Sequence, residues 1–309
     1  MPYIAYIDPI DACHLKCPTC IRGARGMKNT SKKMSLDLFK QIVAKVKSES
    51  YQRIGLYSWT EPFLNLTLHD YVQIVKDAGL RCDISTTLSL RRINNLEKVL
   101  CAGLDDMIVS MSGADQETHQ RNHVGGTLSY AFDNLARIRE IISRHGLATN
   151  IRMRLLRFHY NADSEPVLRN KAAEFGFNFE TIEAGGDPDA GPPQQLFQTH
   201  QHFADLIAAG SQKPGPDGSH VCSLIFDTLA MDCAGDVHLC CAYPNIEELK
   251  IGSYLELSEA DLLLKRFQNP FCQTCTIPRR AANEHDTARL AASNWSKPLS
   301  PPTATTDLQ

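Results

Sequence analysis

Three cysteines near the start of the chain are spaced closely enough to hold one metal centre. Cys13, Cys17 and Cys20 lie in the segment DACHLKCPTC with C-x3-C-x2-C spacing. A four-iron cluster usually takes four cysteines, so three leave one iron open to an outside amine and carboxylate. A zinc site with His14 as its fourth ligand is the alternative. We call these three residues the first cysteine group.

A second group of four cysteines lies in the last third of the chain, which has eleven cysteines in all. Cys222 and Cys240 are separated by x12-G-x4, and Cys272 and Cys275 form a C-x2-C pair 31 residues later. Four thiolates suit tetrahedral zinc as well as an iron-sulfur cluster, and their spacing does not decide between the two. We call these four residues the second cysteine group.

Four other cysteines have simpler interpretations. Cys241 is an alternative ligand to Cys240, although neighbouring residues on a strand point to opposite faces. Cys241 and Cys233 are also candidate hydrogen-atom donors, and of the two we take Cys241 as a candidate catalytic residue. Cys82 and Cys101 are interpreted as small hydrophobic residues.

Short apolar runs that favour strands alternate with amphipathic stretches over residues 4–184, as in successive βα units around a parallel sheet. Six such units cannot close an eight-stranded barrel, so we predict an α/β fold: a partial, open (β/α)6 TIM-like barrel with ligands at the C-terminal strand ends. The predicted strands are Ile4–Asp8, Arg53–Tyr57, Arg81–Thr86, Asp106–Met111, Asn150–Leu156 and Asn178–Ala184. The predicted helices include one with its N-cap at Ser35, and Tyr71–Ala78, Leu96–Ala102, Ala131–Arg144 and Val167–Phe175.

Polar residues follow or end several of these strands. Glu61 lies in LYSWTEP after the second strand, Ser85 in ISTT and Ser110 in VSMSG. The two hydroxyls can form hydrogen bonds with a ribose or a carboxylate. Arg152 and Arg154 alternate along the fifth strand and share one face, so both can serve an acidic group or a hydroxyl of a substrate inside the barrel.

The cysteine spacing, its place after the first strand and the six βα units resemble the radical S-adenosylmethionine superfamily over roughly residues 4–184. The resemblance implies that the first cysteine group holds a [4Fe-4S] cluster whose open iron binds S-adenosylmethionine. It also implies reductive cleavage of that cofactor to a 5′-deoxyadenosyl radical, which abstracts a substrate hydrogen. Two features depart from the family: Thr19 replaces a common aromatic residue, and Trp59 and Thr60 replace glycines.

The same resemblance assigns roles to individual residues. Glu61 corresponds to the acidic residue that receives the methionine amine. Ser85 and Ser110 become candidates for binding the cofactor, and Arg121 in THQRNHVGG has the spacing of an arginine that pairs with the methionyl carboxylate. Arg154 is a candidate catalytic residue.

The second cysteine group resembles the twitch domain, a shortened relative of the SPASM extension, built from a β-hairpin and a short helix. This resemblance implies a second, auxiliary [4Fe-4S] cluster. Thr228–Asp232 and Val237–Cys241 flank a turn with glycine, which independently favours a hairpin. We therefore predict a barrel over 1–190, a linker with a bridging helix over 191–220, a twitch domain over 221–285 and a disordered tail over 286–309.

The predicted function is oxidation or epimerisation of a carbohydrate-like intermediate, because the arrangement resembles radical enzymes that oxidise aminocyclitols. Peptide modification is the alternative, and a non-enzymatic zinc protein is a remote one. The chemistry implies flavodoxin or ferredoxin as electron donor. A formal charge of -3 favours neither nucleic acid nor a membrane as partner. No apolar segment of spanning length is present in the sequence, which predicts a cytoplasmic location.

Overall fold

The computed structural model describes residues 4–184, 188–189, 220–242, 247–267, 269, 271, 280–281 and 284–292. The strands are β1 Ile4–Ile7, β2 Arg53–Gly55, β3 Arg81–Thr86, β4 Asp106–Met111, β5 Asn150–Arg157, β6 Asn178–Glu183, β7 His220–Val221, β8 Thr228–Met231, β9 Asp236–His238, β10 Lys250–Ser253 and β11 Arg280–Ala281. The helices are α1 Ile21–Ala24, α2 Leu36–Ser48, α3 Leu68–Asp77, α4 Leu96–Cys101, α5 Gln116–Asn122, α6 Leu128–His145, α7 Ser164–Phe175, α8 Ser223–Phe226, α9 Glu259–Phe267 and α10 Glu284–Ala292. Short 3-10 turns cover Pro62–Leu64 and Glu247–Leu249.

Strands β1 to β6 are neighbours in sequence order, and every pair among them is parallel. Helices connect them, and the sheet does not close on itself. The predicted open, partial TIM-like barrel of six βα units is therefore confirmed. Because all six strands run the same way, their C-terminal ends meet at one end of the barrel, where ligands of such folds bind.

The helices bury the faces that the apolar periodicity indicates. The hydroxyl of Ser35 caps α2 by accepting the amide N–H of Leu38 at 3.1 Å. Helix α2 then buries Phe39, Ile42 and Val46 against the sheet in the main hydrophobic core. Three helices begin three residues earlier than predicted, α3 at Leu68, α6 at Leu128 and α7 at Ser164. Each of these earlier first residues is itself buried, which the pattern of the later turns did not reveal.

Strand β2 is shorter than predicted. It ends at Gly55 and not at Tyr57, although the N–H of Leu56 still donates to the carbonyl of Asp83 at 2.8 Å. The backbone N–H groups of Ser58 and Trp59 donate to the side chain of Asp8. The loop after β2 is therefore bent towards β1.

The predicted hairpin is present as β8 and β9, with a turn in which Gly235 has a φ of 82°. Strand β8 also pairs in parallel with β1, from Ile4 opposite Thr228 to Ile7 opposite Met231. The hairpin and β10 thus extend the barrel sheet, whose order is β10-β9-β8-β1-β2-β3-β4-β5-β6. The sequence did not predict this continuity.

Several expectations lie outside the described residues. They are the bridging helix, residues 293–309 of the predicted tail, Cys272 and Cys275. Residues 286–292, which we predicted to belong to a disordered tail, lie instead in helix α10. The domain boundaries stay predictions. Within the described helices, none is long and apolar enough to cross a membrane.

Candidate functional site

The first cysteine group lies on the loop between β1 and α1, at the C-terminal end of the barrel. All three thiols are free and partly buried. Burial raises the pKa of Cys13 to about 12 and also raises the pKa of Cys17 and Cys20; the neighbouring thiols add to the effect at Cys13 and Cys17. Three crowded, buried thiols suit cationic iron, because a coordinated thiol loses its proton and its charge is then compensated.

Polar side chains fix the backbone of this loop on one side. The amide of Asn29 accepts the backbone N–H of Cys13 at 3.0 Å and donates to its carbonyl at 2.8 Å. The guanidinium of Arg22 donates to Asn29 at 3.1 Å and pairs with Asp11 at 2.7 Å. The positive charge of the buried Arg22 lies close enough to lower the pKa of Cys13, against the larger effect of burial. It can balance part of the charge of a bound thiolate cluster.

A glycine lets α1 approach the same loop. A Cβ on Gly23 would lie 2.4 Å from the carbonyl oxygen of Cys17 and 2.5 Å from its amide nitrogen. Only glycine fits there without a shift of the backbone. The motif therefore includes a residue that the cysteine spacing alone did not identify.

Helix α5 and the turn after it support the other side of the loop. The hydroxyl of Thr19 donates to the buried amide of Asn122 at 2.6 Å, and the N–H of Lys16 donates to the carbonyl of Val124 at 2.9 Å. Thr19, which stands where the family resemblance implies an aromatic residue, connects the cysteine loop to α5 through this hydrogen bond.

Asp8, at the end of β1, holds the segment that contains Trp59 and Thr60. Its buried carboxylate accepts the N–H groups of Ser58 at 2.8 Å and Trp59 at 3.1 Å, and the hydroxyl of Thr60 at 2.6 Å. Burial raises the pKa of Asp8 to about 6. These bonds give the loop a defined shape without the family's glycines. A carboxylate at the end of an apolar strand was the signal that sequence reasoning missed.

Glu61 lies deep in the site, with 3% of its surface exposed. Its carboxylate accepts the hydroxyl of Thr86 at 2.7 Å, the N–H of Thr87 at 3.2 Å and the N–H of Phe63 at 3.3 Å. Burial raises its pKa, and its own negative charge raises the pKa of Cys13. The backbone N–H of Glu61 also donates to the carbonyl of Ala12, next to Cys13, at 2.9 Å. The role of Glu61 towards an amine stays a prediction.

Ser85 and Ser110 are partly buried on β3 and β4. Ser85 lies two residues after Asp83, and Ser110 lies two residues after Ile108. Residues two apart on a strand share a face, and Asp83 and Ile108 line a cavity inside the barrel, so both serines face the interior. The neighbouring Ser112 is instead fully buried and donates to the carbonyl of His119 at 2.8 Å. It supports α5 and does not face the cavity.

Arg121 has partners of its own in the structure. Its guanidinium pairs with Asp189 at 2.8 Å and lies 3.8 Å from the centre of the Tyr160 ring. Both side chains of the ion pair are substantially exposed, and exposed pairs contribute little free energy. Nothing in the described part of the chain brings Arg121 to Glu61 or the cysteines, so its role towards a carboxylate stays a prediction.

The cavity inside the barrel has a volume of about 380 Å³, and it brings together the two candidate catalytic residues, Arg154 and Cys241. We call it the barrel cavity. Its lining consists of Ile4, Tyr6, Arg53, Tyr57, Ser58, Asp83, Ile108, Arg152, Arg154 and Cys241.

Ion pairs organise the wall of the barrel cavity. Arg53 pairs with Asp83 at 3.1 Å, and Arg154 pairs with Glu180 at 2.6 Å. Burial raises the pKa of Asp83 to about 6, and Arg53 opposes that rise. The volume is that of a pocket for a small molecule, and the lining is mostly polar.

Part of the second cysteine group lies next to this cavity. Cys240 is buried against Leu249 and Phe271, whereas its neighbour Cys241 lines the cavity with its sulfur 3.6 Å from the hydroxyl of Thr228. The two cysteines therefore have different surroundings, and both lie after the end of β9 at His238, three residues before the predicted strand end at Cys241. Burial raises the pKa of Cys240 to about 12, and the charge of the neighbouring Cys222 adds to the rise.

The described residues include no group of three His, Cys, Asp or Glu close enough to hold one metal ion. In a four-iron cluster each thiolate binds a different iron, so the sulfur atoms lie farther apart than the ligands of one metal ion. The finding therefore applies to sites for a single ion and not to a cluster. His14, the alternative zinc ligand, has neither ring nitrogen in a hydrogen bond, and burial lowers its pKa to about 4.

Comparisons with known proteins agree with the family resemblance of the barrel. A family model described as the Radical SAM superfamily matches residues 7–157. An AdoMet-dependent heme synthase of Methanosarcina barkeri is 31% identical over 107 residues, 35% of this chain and 30% of that protein. A probable GTP 3′,8-cyclase of Methanococcus maripaludis is 26% identical over 172 residues, 55% of each chain. The matches thus span about half of these relatives or less.

Solved structures share the fold. Streptococcus suis SuiB bound to the precursor peptide SuiA has a TM-score of 0.64 and 14% identity, covering 92% of this chain and 69% of that one. The protein anSMEcpe with bound AdoMet and a Kp18Cys peptide has a TM-score of 0.55 and 15% identity, covering 89% and 87%. At such identities the likeness concerns the fold alone.

Proposed function

We propose a radical reaction in the barrel cavity for this chain, which belongs to the radical S-adenosylmethionine superfamily. Cleavage of S-adenosylmethionine yields a 5′-deoxyadenosyl radical, which abstracts a hydrogen atom from a small polar substrate. The observation that carries the proposal is the position of the buried Glu61, whose backbone N–H donates to the carbonyl of Ala12, the residue before Cys13, at 2.9 Å.

The first cysteine group holds the cofactor cluster in this proposal. When bound there, a [4Fe-4S] cluster supplies the electron that breaks the bond between the sulfonium sulfur and the 5′ carbon. Glu61 accepts the methionine amine, while Ser85 and Ser110, which face the interior, bind other polar groups of the cofactor. Arg121 exchanges its exposed partner Asp189 for the methionyl carboxylate.

The second cysteine group determines the fate of the substrate radical after hydrogen abstraction. An auxiliary [4Fe-4S] cluster held by Cys222, Cys240, Cys272 and Cys275 would accept an electron and complete an oxidation. Hydrogen donation by the thiol of Cys241, which lines the cavity, would give epimerisation instead. Cys233 lies on the hairpin turn, beside the carboxylate of Asp232, and is the second candidate donor.

A carbohydrate-like substrate suits the volume and polarity of the barrel cavity. Modification of a peptide is the alternative, favoured by the peptides bound in the two solved structures that share the fold. Flavodoxin or ferredoxin is the proposed electron donor. The remote alternative is a zinc protein without catalytic activity.

Formation of 5′-deoxyadenosine tests the proposal. Anaerobically reconstituted protein is incubated with S-adenosylmethionine and dithionite, and the product is quantified by chromatography. Cys17→Ala should lower the rate at least a hundredfold, because it removes a ligand of the cluster that carries the electron. Cys101→Ala is the matched control, since Cys101 is an exposed cysteine on α4, and it should retain the wild-type rate. Equal rates in the two variants would refute the assignment.

Cys272→Ala tests the auxiliary cluster separately. It should lower the iron content by about four atoms per chain and leave 5′-deoxyadenosine formation intact. An unchanged iron content would remove the auxiliary cluster from the proposal.

A further inference from the structure

Four polar atoms on the wall of the barrel cavity are buried without any hydrogen-bond partner. They are the Nε atoms of Arg53 and Arg152, the Oδ1 atom of Asp83 and the hydroxyl of Ser58. All four residues line the cavity. Buried polar atoms in proteins are nearly always paired, so four unpaired atoms around one cavity indicate groups that a ligand satisfies. Asp83 is the strongest of them, since only 1% of its surface is exposed.

The three arginines that line the cavity and the three carboxylates that pair with them balance in charge, and the half-exposed Arg81 adds one positive charge outside the cavity. Arg53 and Arg152 both approach the carboxylate of Asp106, at 3.5 Å and 3.8 Å, and share it with Arg81 at 2.7 Å. The network contains four guanidinium groups and three carboxylates. Its members are Arg53, Arg81, Arg152, Arg154, Asp83, Asp106 and Glu180. Within the cavity, the unpaired Nε–H groups of Arg53 and Arg152 remain free to donate to an anionic group of a ligand.

A glycine on β2 leaves room for two tyrosine rings in the lining of the barrel cavity. A Cβ on Gly55 would lie 2.9 Å from the ring of Tyr6 and 3.0 Å from the ring of Tyr57. The two rings, whose centres are 5.3 Å apart, can form one wall of the cavity because residue 55 has no side chain. The lining of the cavity thus combines the two tyrosine rings with charged groups.

We propose that the barrel cavity binds a small hydroxylated or aminated molecule through a single oxyanion, either a carboxylate or a phosphate. Arg53 and Arg152 donate hydrogen bonds to the oxyanion, and Asp83 accepts a hydrogen bond from a hydroxyl or ammonium group of the same molecule. Because this inference takes the cavity to be the substrate pocket, it rests on the proposed function.

The placement of these residues also orients the ligand. Arg53 is the first residue of β2 and Arg152 the third of β5, whereas the cysteine loop comes after the C-terminal end of β1. An oxyanion held by these arginines therefore lies in the half of the barrel away from the cofactor. The rest of the molecule, with the C–H bond that reacts, then extends towards the strand ends.

Titration of reconstituted protein with inorganic phosphate and with acetate, at constant ionic strength, tests the inference. The midpoint of thermal unfolding is measured without reductant. At least one anion should give saturable stabilisation of the wild type. Phosphate alone would indicate a phosphate ester, and acetate alone a carboxylic acid.

The variants show whether the binding occurs in the cavity. Arg53→Gln and Arg152→Gln should each weaken the apparent affinity at least tenfold. Arg81→Gln is the matched control: Arg81 pairs with the same Asp106, yet its side chain is 54% exposed and does not line the cavity. It should change the affinity less than twofold. Two substitutions at the cavity keep the test valid if one variant does not fold.

The absence of saturable stabilisation by either anion would overturn the inference, as would unchanged affinity in both cavity variants. Failure of the proposed function is a different result, because it would appear as no 5′-deoxyadenosine formation. Loss of anion binding with intact cleavage would therefore reject the inference alone.

Discussion

The buried acidic side chains at the two ends of the barrel differ in how fully they are hydrogen-bonded. At the strand ends, Asp8 and Glu61 each accept several hydrogen bonds from their own chain. Deeper in the barrel, Asp83 keeps one oxygen without a partner, and the nearby Arg53 keeps one unpaired N–H. The chain's own hydrogen bonds fix the region at the strand ends, whereas the barrel cavity has buried polar groups without hydrogen-bond partners.

This difference matches the two roles proposed for the site, which are to bind the cofactor and to bind the substrate. A cofactor that is the same in every turnover suits a loop that its own chain holds rigidly, as Asn29, Asp8 and Thr19 hold this one. A substrate suits a cavity whose groups are satisfied only when the substrate binds. Single substitutions can break one region at a time.

Glu61→Gln should have the largest effect. The amide lacks the negative charge that pairs with the methionine amine, and a broken buried ion pair costs several kcal/mol. We expect kcat/KM for S-adenosylmethionine to fall about a hundredfold in the assay of 5′-deoxyadenosine. Glu117→Gln on α5 carries the same change at an exposed position and should have no effect. A wild-type value in Glu61→Gln would remove this residue from the cofactor site.

Gly55→Ala should damage the cavity and spare the cofactor region. The added Cβ pushes against Tyr6 and Tyr57, and such overpacking typically costs about 1–3 kcal/mol of stability. The midpoint of thermal unfolding should fall, and phosphate or acetate should bind more weakly. Cleavage of S-adenosylmethionine measured without substrate should stay within about twofold of the wild type. A large loss of cleavage would mean that the two regions are not separable.

Asp8→Asn should change how stability depends on pH. Burial raises the pKa of Asp8 from 3.8 to about 6, so its contribution to stability is present below pH 4 and is lost as the pH rises through 6. The asparagine in the variant does not titrate, so the variant does not lose this stability as the pH rises. Its free energy of unfolding in urea, relative to wild type, should therefore rise by about 1 kcal/mol between pH 5 and pH 7. A difference independent of pH would contradict the raised pKa.

Thr19→Val should have the smallest effect. It removes the hydrogen bond to Asn122, which is worth roughly 0.5–1 kcal/mol. The variant should lose iron from the reconstituted protein slightly faster on dilution, while Thr19→Ser should behave as wild type because it retains the hydroxyl. Equal iron loss in all three proteins would show that this tie does not support the cysteine loop.

Local sequence features predicted the elements of the barrel well. The six βα units follow from periodicity, and the Ser35 cap involves residues three positions apart. Glu61 was identified as a candidate from its motif, and its backbone N–H donates to the carbonyl of Ala12, next to Cys13. Each of these signals lies within a few residues of the chain, where patterns are informative.

Features that depend on long-range pairing were not predicted. Strand β8 adds to β1 across most of the length of the chain, and no local pattern specifies that partner. Arg53 and Asp83 meet only because β2 and β3 pair in a particular register. Alternation along β5 did indicate that Arg152 and Arg154 share the inner face, but their acidic partner Glu180 belongs to the next strand.

The electron paramagnetic resonance spectrum of the dithionite-reduced protein, recorded with and without S-adenosylmethionine, tests the cofactor site most directly. We predict that the cofactor changes the signal of the cluster on Cys13, Cys17 and Cys20, because its amine and carboxylate bind the open iron. An iron-sulfur signal that S-adenosylmethionine leaves unchanged would contradict the central claim.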